Sequence, residues 1–161
     1  VMGSRGSVVP FFIKLKETGE LPITDPKMTR FMISLEDAVK LVWHAFGDMQ
    51  GGEIYVKKIP SMMIRDIATA VSKTAKQKTI GIRPGEKIHE QMIGLEDAPH
   101  TYEYEDHYKI LPAIYNWSSD PQRNKNGVKV GKGFTYSSDN NKEWMNVEDL
   151  QRWIEVNLHK A

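Results

Sequence analysis

Residues 79–90 read TIGIRPGEKIHE, and this stretch is the key to how the chain is organised. The apolar run 79–82 predicts a strand, and Arg83-Pro84-Gly85-Glu86 predicts a tight turn into a short helix over 85–93. A planar guanidinium at such a corner can grip a phosphate with two parallel hydrogen bonds, and Glu86 can accept hydrogen bonds from hydroxyl groups. An Arg-Pro-Gly sequence is more often simply a turn, so the stretch alone leaves both interpretations open.

Outward from this stretch, short strand patterns alternate with amphipathic helix patterns. The strand candidates are residues 21–24, 30–33, 54–56 and 79–82. Helix candidates begin at Ser7, at Ser61 and at Ser34, which has Asp37 at capping-box spacing. We therefore predict an α/β fold of mixed short strands and helices. The sequence lacks the glycine-rich strand-turn-helix fingerprint, so we do not expect the complete Rossmann sheet.

The helix that begins at Ser34 is the best specified. Its apolar residues recur at helical spacing and predict one continuous apolar face. They are Leu35, Ala38, Val39, Val42, Ala45, Phe46 and Met49.

The last third of the chain differs in character, although we treat residues 1–161 as one substrate-binding region. Residues 94–145 mix aromatic and polar residues and predict an excursion of short strands and loops. Asn146 and Asp149 then begin a terminal helix over residues 146–158.

The composition is that of an ordinary globular protein and argues against several classes. The chain has 161 residues, of which 40% are hydrophobic and 27% charged, enough for one sizeable core. A net charge of +1 predicts neither a nucleic-acid partner nor an anionic membrane surface. No apolar run approaches the ~20 residues that span a bilayer. The absence of cysteine agrees with a reducing, cytoplasmic location.

Three arginines stand at junctions between predicted elements and are the candidate anion-binding residues. The segment Arg5-Gly6-Ser7-Val8 joins a guanidinium to a flexible turn and a helix start, where free N–H groups bind anions. Arg30 stands at the entrance to a strand, and Arg83 stands at the corner with Glu86. The three arginines could converge on one diphosphate. Alternatively, each pairs with a surface carboxylate, which is the better interpretation for any one arginine alone.

Other chemistries find little support in the residues. His89 and Glu90 lack the second histidine of a zinc-protease helix, and His100 and His107 are too isolated to predict a metal site. Ser7 has no convincing partners for a hydrolase triad. We therefore predict no metal ligand and no catalytic residue in this chain.

Several ordered motifs give the chain a family resemblance. They are VMGSRGSVVPFF at 1–12, LPITD at 21–25, MTRF at 28–31, GEIYV at 52–56 and IRPGEK at 82–87. In this order they resemble the extended short-chain dehydrogenases, and among them the inverting UDP-N-acetylglucosamine 4,6-dehydratases and their capsule-biosynthesis relatives. The tail, with HTYE at 100–103 and YSSDNN at 136–141, looks most like the branch that starts pseudaminic acid synthesis.

The resemblance implies the C-terminal, substrate-binding part of such an enzyme. The substrate-binding residues that it implies are Arg5, Gly6, Ser7, Val8, Arg30, Arg83 and Glu86. In the family, the arginines that match Arg30 and Arg83 face the UDP diphosphate. Glu86 is expected near the ribose or base of uridine, and Val1 beside the nicotinamide end of the cofactor, NADP. The family is commonly oligomeric, so we expect the complete enzyme to form a homo-oligomer.

The departure from the family is large. Its glycine-rich cofactor loop and its Tyr-x-x-x-Lys catalytic pair are both missing; Tyr55 comes closest, but Ile59 holds the lysine position. The family reaction oxidises C4 of the sugar with NADP, removes the C5 proton, expels the C6 hydroxyl as water and returns hydride to C6. We therefore expect an N-terminal Rossmann half to bind most of the NADP and to supply the acid and base. This chain alone should be inactive, because positioning a substrate helps only when catalytic groups are present.

Two functions remain open. The first is the UDP-sugar-binding half of a 4,6-dehydratase that converts UDP-GlcNAc to a 4-keto-6-deoxy sugar for polysaccharide or glycan biosynthesis. The abrupt, turn-like beginning of the chain is what we expect of such a part. The second is a non-catalytic module that binds a nucleotide sugar or a partner protein. An exposed apolar face would favour the first function, and a self-contained polar surface the second.

Overall fold

Short helices and strands alternate through residues 1–114 and 122–158, which are the residues that the computed structural model describes. The α-helices are α1 (Val8–Leu15), α2 (Leu35–Asp48), α3 (Ile64–Val71) and α4 (Val147–Leu158). The strands are β1 (Glu20–Ile23), β2 (Thr29–Phe31), β3 (Ile54–Lys57), β4 (Ser61–Met63), β5 (Lys76–Thr79), β6 (Gln91–Ile93), β7 (Thr101–Glu103), β8 (His107–Ile110), β9 (Val128–Lys129) and β10 (Tyr136–Ser137). Two 3₁₀ turns span Lys16–Thr18 and Ala98–His100.

The strands form small sheets. One sheet has four strands in the order β3-β8-β7-β9, and three others are pairs: β1 with β5, β2 with β4, and β6 with β10. Among the strand pairs of the described residues, only β1–β5 is parallel. Within the described residues the fold is therefore α/β with mixed short elements and without a complete Rossmann sheet, which confirms the sequence prediction.

The main core lies between helices α1, α3 and α4 and the β1–β5 pair. Phe12 of α1, Leu21 of β1, Ile67 of α3 and Leu150 of α4 are all buried in it. The prediction of a helix after Ser7 is confirmed, and Gly19 ends the following 3₁₀ turn with a φ of 76°, a backbone conformation that suits glycine. This core holds the start of α1 beside the ends of β1 and β2.

Helix α2 begins as predicted, but its apolar face is exposed. The Ser34 side chain accepts a hydrogen bond from the Asp37 backbone N–H, as a capping box requires. None of the residues of α2 is buried. The exposed large side chains along it and just beyond its end are Leu35, Val39, Val42, Trp43, Phe46 and Met49. The periodicity therefore identified the helix and its apolar face, and none of the described residues buries that face.

The predicted helix over 85–93 is wrong, and so is the predicted strand over 79–82. Strand β5 spans Lys76–Thr79 and pairs residue for residue with β1, so it ends where β1 ends. The segment that follows has no regular secondary structure until β6, and Gly85 has a φ of 81°. The carbonyls of Lys87 and Ile88 accept hydrogen bonds from Arg30, and the Ile88 carbonyl also accepts from the Thr29 N–H, so this segment is hydrogen-bonded to β2 and not to itself as a helix would be.

Ser61 does not cap a helix either. It lies in β4 and is fully buried, and α3 begins only at Ile64. Its N–H donates to the carbonyl of Glu143, and its Oγ accepts from the side chain of Asn141. Nearby, the Tyr136 hydroxyl accepts from the Ile59 N–H and donates to the Ile59 carbonyl. Residues of the tail thus form hydrogen bonds with Ser61 and Ile59, although the local sequence predicts that a helix starts at Ser61.

The excursion over 94–145 contains strands β7 to β10, and residues 115–121 of it lie outside the described residues, as do 159–161. Helix α4 spans Val147–Leu158, within one residue of its predicted start, and the Asn146 side chain accepts from the Asp149 N–H. Among the described residues there is no helix with the length and apolar character needed to cross a membrane.

Candidate functional site

A cleft of about 320 Å³ brings together residues from four of the five sequence motifs. Gly6 and Val8 come from the start of α1, Arg30 from β2, and Arg83 and Glu86 from the segment after β5. The volume lies at the lower end of the range of small-ligand pockets. Apolar side chains complete the walls of this cleft: Phe11, Phe12, Pro22, Met28, Ile64 and Ile80.

A second cleft of about 240 Å³ adjoins the first and shares Val8 and Arg30 with it. Val1 and Ser7 line this second cleft. Arg5 is exposed and lines neither of the two clefts. The structure thus brings six of the seven predicted substrate-binding residues to adjoining clefts and leaves Arg5 outside them.

Arg83 carries the free cation of the first cleft. It is exposed, and its guanidinium makes no hydrogen bond or ion pair with any residue of 1–114 or 122–158. An arginine of this kind can offer two parallel N–H groups to an anionic ligand. The first cleft is therefore suited to a phosphate or carboxylate group.

Arg30 is held by the protein itself. Its Nη1 donates to the carbonyls of Thr29 (2.7 Å) and Ile88 (3.1 Å), and its Nη2 donates to the carbonyl of Lys87 (3.0 Å). Its Nε lies 3.6 Å from a carboxylate oxygen of Glu90. Few N–H groups remain for a ligand, so Arg30 contributes positive charge to the cleft and fixes the segment that carries Arg83.

Glu86 is also engaged within the protein. One carboxylate oxygen accepts from the Thr24 hydroxyl (3.1 Å), and the other accepts from the Arg83 backbone N–H (3.2 Å). Because Gly85 adopts a positive φ, the turn can close tightly enough for this second bond. Glu86 therefore holds the Arg83 turn against the end of β1, in addition to lining the cleft.

A buried hydroxyl network joins β2 to the end of the segment that carries Arg83, and no local sequence signal predicted it. The Thr29 Oγ1 lies 2.8 Å from His89 Nδ1 and 2.6 Å from the Oγ of Ser138. The Ser138 Oγ also accepts from the Glu90 backbone N–H at 2.9 Å. Thr29 and Ser138 are 109 residues apart, so no local motif could have joined them.

Tyr55, the nearest match to a catalytic tyrosine, is engaged in contacts within the protein. Burial raises its pKa, and so does the hydrogen bond that its hydroxyl donates to the Asp48 carboxylate. Asp48 also forms an ion pair with Lys109. A phenol with a raised pKa stays protonated near neutral pH and is a poor general base.

Among the described residues, no group of three or more histidine, cysteine, aspartate or glutamate side chains is placed to hold a metal ion.

The fold and the two clefts define this chain as a mixed α/β domain with a cationic cleft. A family model described as "polysaccharide biosynthesis protein" matches residues 1–112, which include all the residues of both clefts. The chain therefore belongs to the polysaccharide biosynthesis protein family.

Named relatives extend the match. An inverting UDP-N-acetylglucosamine 4,6-dehydratase of Campylobacter jejuni is 53% identical over 157 residues, which cover 93% of this chain and 47% of that protein. A UDP-glucose 4-epimerase of Rickettsia akari is 36% identical over 159 residues, covering 96% and 46%. Both relatives are nucleotide-sugar-modifying enzymes by name, and the first confirms the resemblance that the motifs indicate.

A solved structure shares the fold. The X-ray structure of Pen from Bacillus thuringiensis superposes with a TM-score of 0.77 at 30% identity and covers 97% of this chain and 46% of that chain. The chain thus spans about half the length of the relatives it matches.

Proposed function

We propose that this chain is the C-terminal, UDP-sugar-binding half of a nucleotide-sugar 4,6-dehydratase. The whole enzyme would convert UDP-GlcNAc to a 4-keto-6-deoxy sugar for polysaccharide or glycan biosynthesis in the cytoplasm, for capsule or pseudaminic acid. The observation that carries the proposal is the free Arg83 guanidinium in a cleft whose residues come from the motifs of that family. The similarity to the Campylobacter jejuni dehydratase supports the choice of reaction.

In this proposal the cleft positions the substrate. Arg83 grips the diphosphate, and Arg30 adds charge while holding the Lys87–Ile88 carbonyls. The apolar walls of Phe11 and Ile80 suit the nucleoside end of the ligand. Arg5, which lies outside both clefts, contributes at most long-range charge.

The cofactor NADP is proposed to bind mainly to the other half of the enzyme. The chain has no glycine-rich loop between a strand and a helix, which is the structure that holds a dinucleotide pyrophosphate. Only Val1, at the second cleft, is assigned to the nicotinamide end. NADP supplies hydride transfer when bound, and the residues of this chain bind and orient the sugar nucleotide.

The exposed face of α2 supports the existence of that other half. The helix contacts the four-stranded sheet through polar groups: the His44 ring lies 4.6 Å from the His107 ring, and Asp48 binds Tyr55. The opposite, apolar side of the helix, with Val42 and Phe46, is exposed. Contiguous apolar surface of this kind marks an interface, so we assign it to the Rossmann half or chain. A self-contained module would not need such a face. For the assembled enzyme we also propose a homo-oligomer, on the family resemblance alone.

The test is UDP binding by titration calorimetry to the protein expressed from its complete reading frame. Arg83→Ala should weaken binding about tenfold or more, the effect of one lost charge-assisted contact. Arg65→Ala is the matched control, because Arg65 is an exposed arginine that pairs with Asp66 and lines neither cleft. The 161-residue chain alone, given UDP-GlcNAc and NADP, should form no 4-keto product.

Two results would contradict the proposal. Equal UDP affinity of the wild type and Arg83→Ala would remove the diphosphate assignment. A 4-keto product formed by the pure 161-residue chain would show that catalytic groups lie within it.

A further inference from the structure

Ser138, in the tail of the chain, contacts residues next to the candidate cleft, although it is far from them in the sequence. Ser138 lies outside residues 1–112, to which the family model matches. It is nevertheless fully buried, and so is Thr29, which precedes Arg30 in β2. Buried hydroxyl groups need hydrogen-bond partners, and these two are partners of each other.

Ser138 makes three hydrogen bonds, which together join β2 to the end of the Arg83 segment. Its Oγ accepts from the Glu90 N–H at 2.9 Å and lies 2.6 Å from the Thr29 Oγ1. Its backbone N–H donates to the Glu90 carbonyl at 2.7 Å. Ser138 therefore binds both the backbone N–H and the backbone carbonyl of Glu90.

The segment between β5 and β6 depends on such side-chain bonds for its position. It has no regular secondary structure, so its path is set by Glu86 at one end and by Arg30, Thr29 and Ser138 at the other. The Thr29 N–H also donates to the Ile88 carbonyl at 3.0 Å, and its hydroxyl bonds His89. Losing the Ser138 hydroxyl would leave the Glu90 N–H and the Thr29 hydroxyl without this partner.

We infer that Ser138 is a positioning residue for the nucleotide-sugar cleft, acting through Glu90 and Thr29 on the segment that carries Arg83. This inference rests on the proposed function of the cleft. It assigns to the tail a role in ligand affinity, besides its contribution to folding.

The experiment is a double-mutant cycle in the protein expressed from its complete reading frame, with UDP as the titrated ligand. Ser138→Ala should weaken UDP binding about fivefold or more, a coupling typical of residues in one hydrogen-bond network. In an Arg83→Ala background the same change should have little further effect, because the contact that it positions is already gone. Ser137→Ala is the matched control: among the described residues its hydroxyl donates to the side chain of Asp139, two residues further on.

A second variant keeps the test informative if Ser138→Ala fails to fold. Thr29→Val has nearly the same shape and removes the same hydroxyl contact from the other side. It should weaken UDP binding to a similar degree and again lose its effect beside Arg83→Ala.

The outcomes distinguish failure of the positioning role of Ser138 from failure of the proposed function. If the wild type binds UDP and Ser138→Ala and Thr29→Val bind it equally well, the positioning role is overturned even where the melting temperature falls. An equal loss in both backgrounds would overturn it too, since the effect would not pass through Arg83. If the wild type does not bind UDP, the proposed function fails, and the inference fails with it.

Discussion

Phe46→Ala is the sharpest test of whether the apolar face of α2 is an interface. Phe46 is 67% exposed, and its ring lies 6.2 Å from that of Trp43, which is 71% exposed. If the other half of the enzyme covers this face, the ring is buried in the complete protein. If nothing covers it, removing the ring costs almost nothing.

The magnitude follows from the exposed fraction. Full burial of a phenylalanine side chain contributes about 1.5–3 kcal/mol, so covering the remaining two thirds of Phe46 contributes about 1–2 kcal/mol. The cavity left in a packed interface raises the cost of Phe→Ala further. We expect a loss of about 2–3 kcal/mol in the free energy of unfolding of the complete protein.

Urea denaturation of the complete protein, followed by circular dichroism, measures this loss. Val156→Ala is the control, since Val156 is 63% exposed on α4 and the change also raises helix propensity. It should shift the unfolding free energy by less than ~0.5 kcal/mol. A Phe46→Ala variant as stable as Val156→Ala would refute the interface and favour a self-contained module.

The remaining predictions concern packing and pH. Tyr136→Phe should lower the unfolding free energy by about 1–3 kcal/mol in urea denaturation, because the buried Ile59 N–H loses its acceptor; unchanged stability would contradict this. For Asp48, burial would raise the pKa, but hydrogen bonds from Lys109 and Tyr55 outweigh burial and hold the pKa of this carboxyl below the ordinary value for an aspartate. The ion pair therefore stabilises the fold above about pH 4 and is lost as the pH falls through the folded-state pKa. Asp48→Asn should flatten the acid limb of a stability–pH titration, and an unchanged slope would exclude Asp48 as its source.

Local signals in the sequence predicted the elements that are determined locally. The capping pairs Ser34–Asp37 and Asn146–Asp149 each involve neighbours within a few residues, and each marks a real helix start. The helix predicted over 85–93 failed for the opposite reason. Its carbonyl acceptors are taken by Arg30, 57 and 58 residues away, which no local pattern reveals.

The same distinction between local and long-range determinants applies to the candidate site. The motifs around Gly6, Arg30, Arg83 and Glu86 were predicted separately, and the fold brings them to one cleft. The different roles of Arg30 and Arg83 were not predictable, because they depend on which guanidinium donates hydrogen bonds to backbone carbonyls. Nor was Ser138, whose partners are separated from it by 48 and 109 residues.

Hydrogen bonds between the tail and the region around β4 limit where this protein can be truncated. Ser61 and Ile59 lie within the matched region 1–112, yet Asn141, Glu143 and Tyr136 supply their hydrogen-bonding partners. The edge of the shared family sequence is thus not an edge of the folded unit. Truncation at residue 112 would strip the interior of partners that it cannot replace, and the shortened polypeptide should be recovered as an aggregate or a protease-sensitive coil.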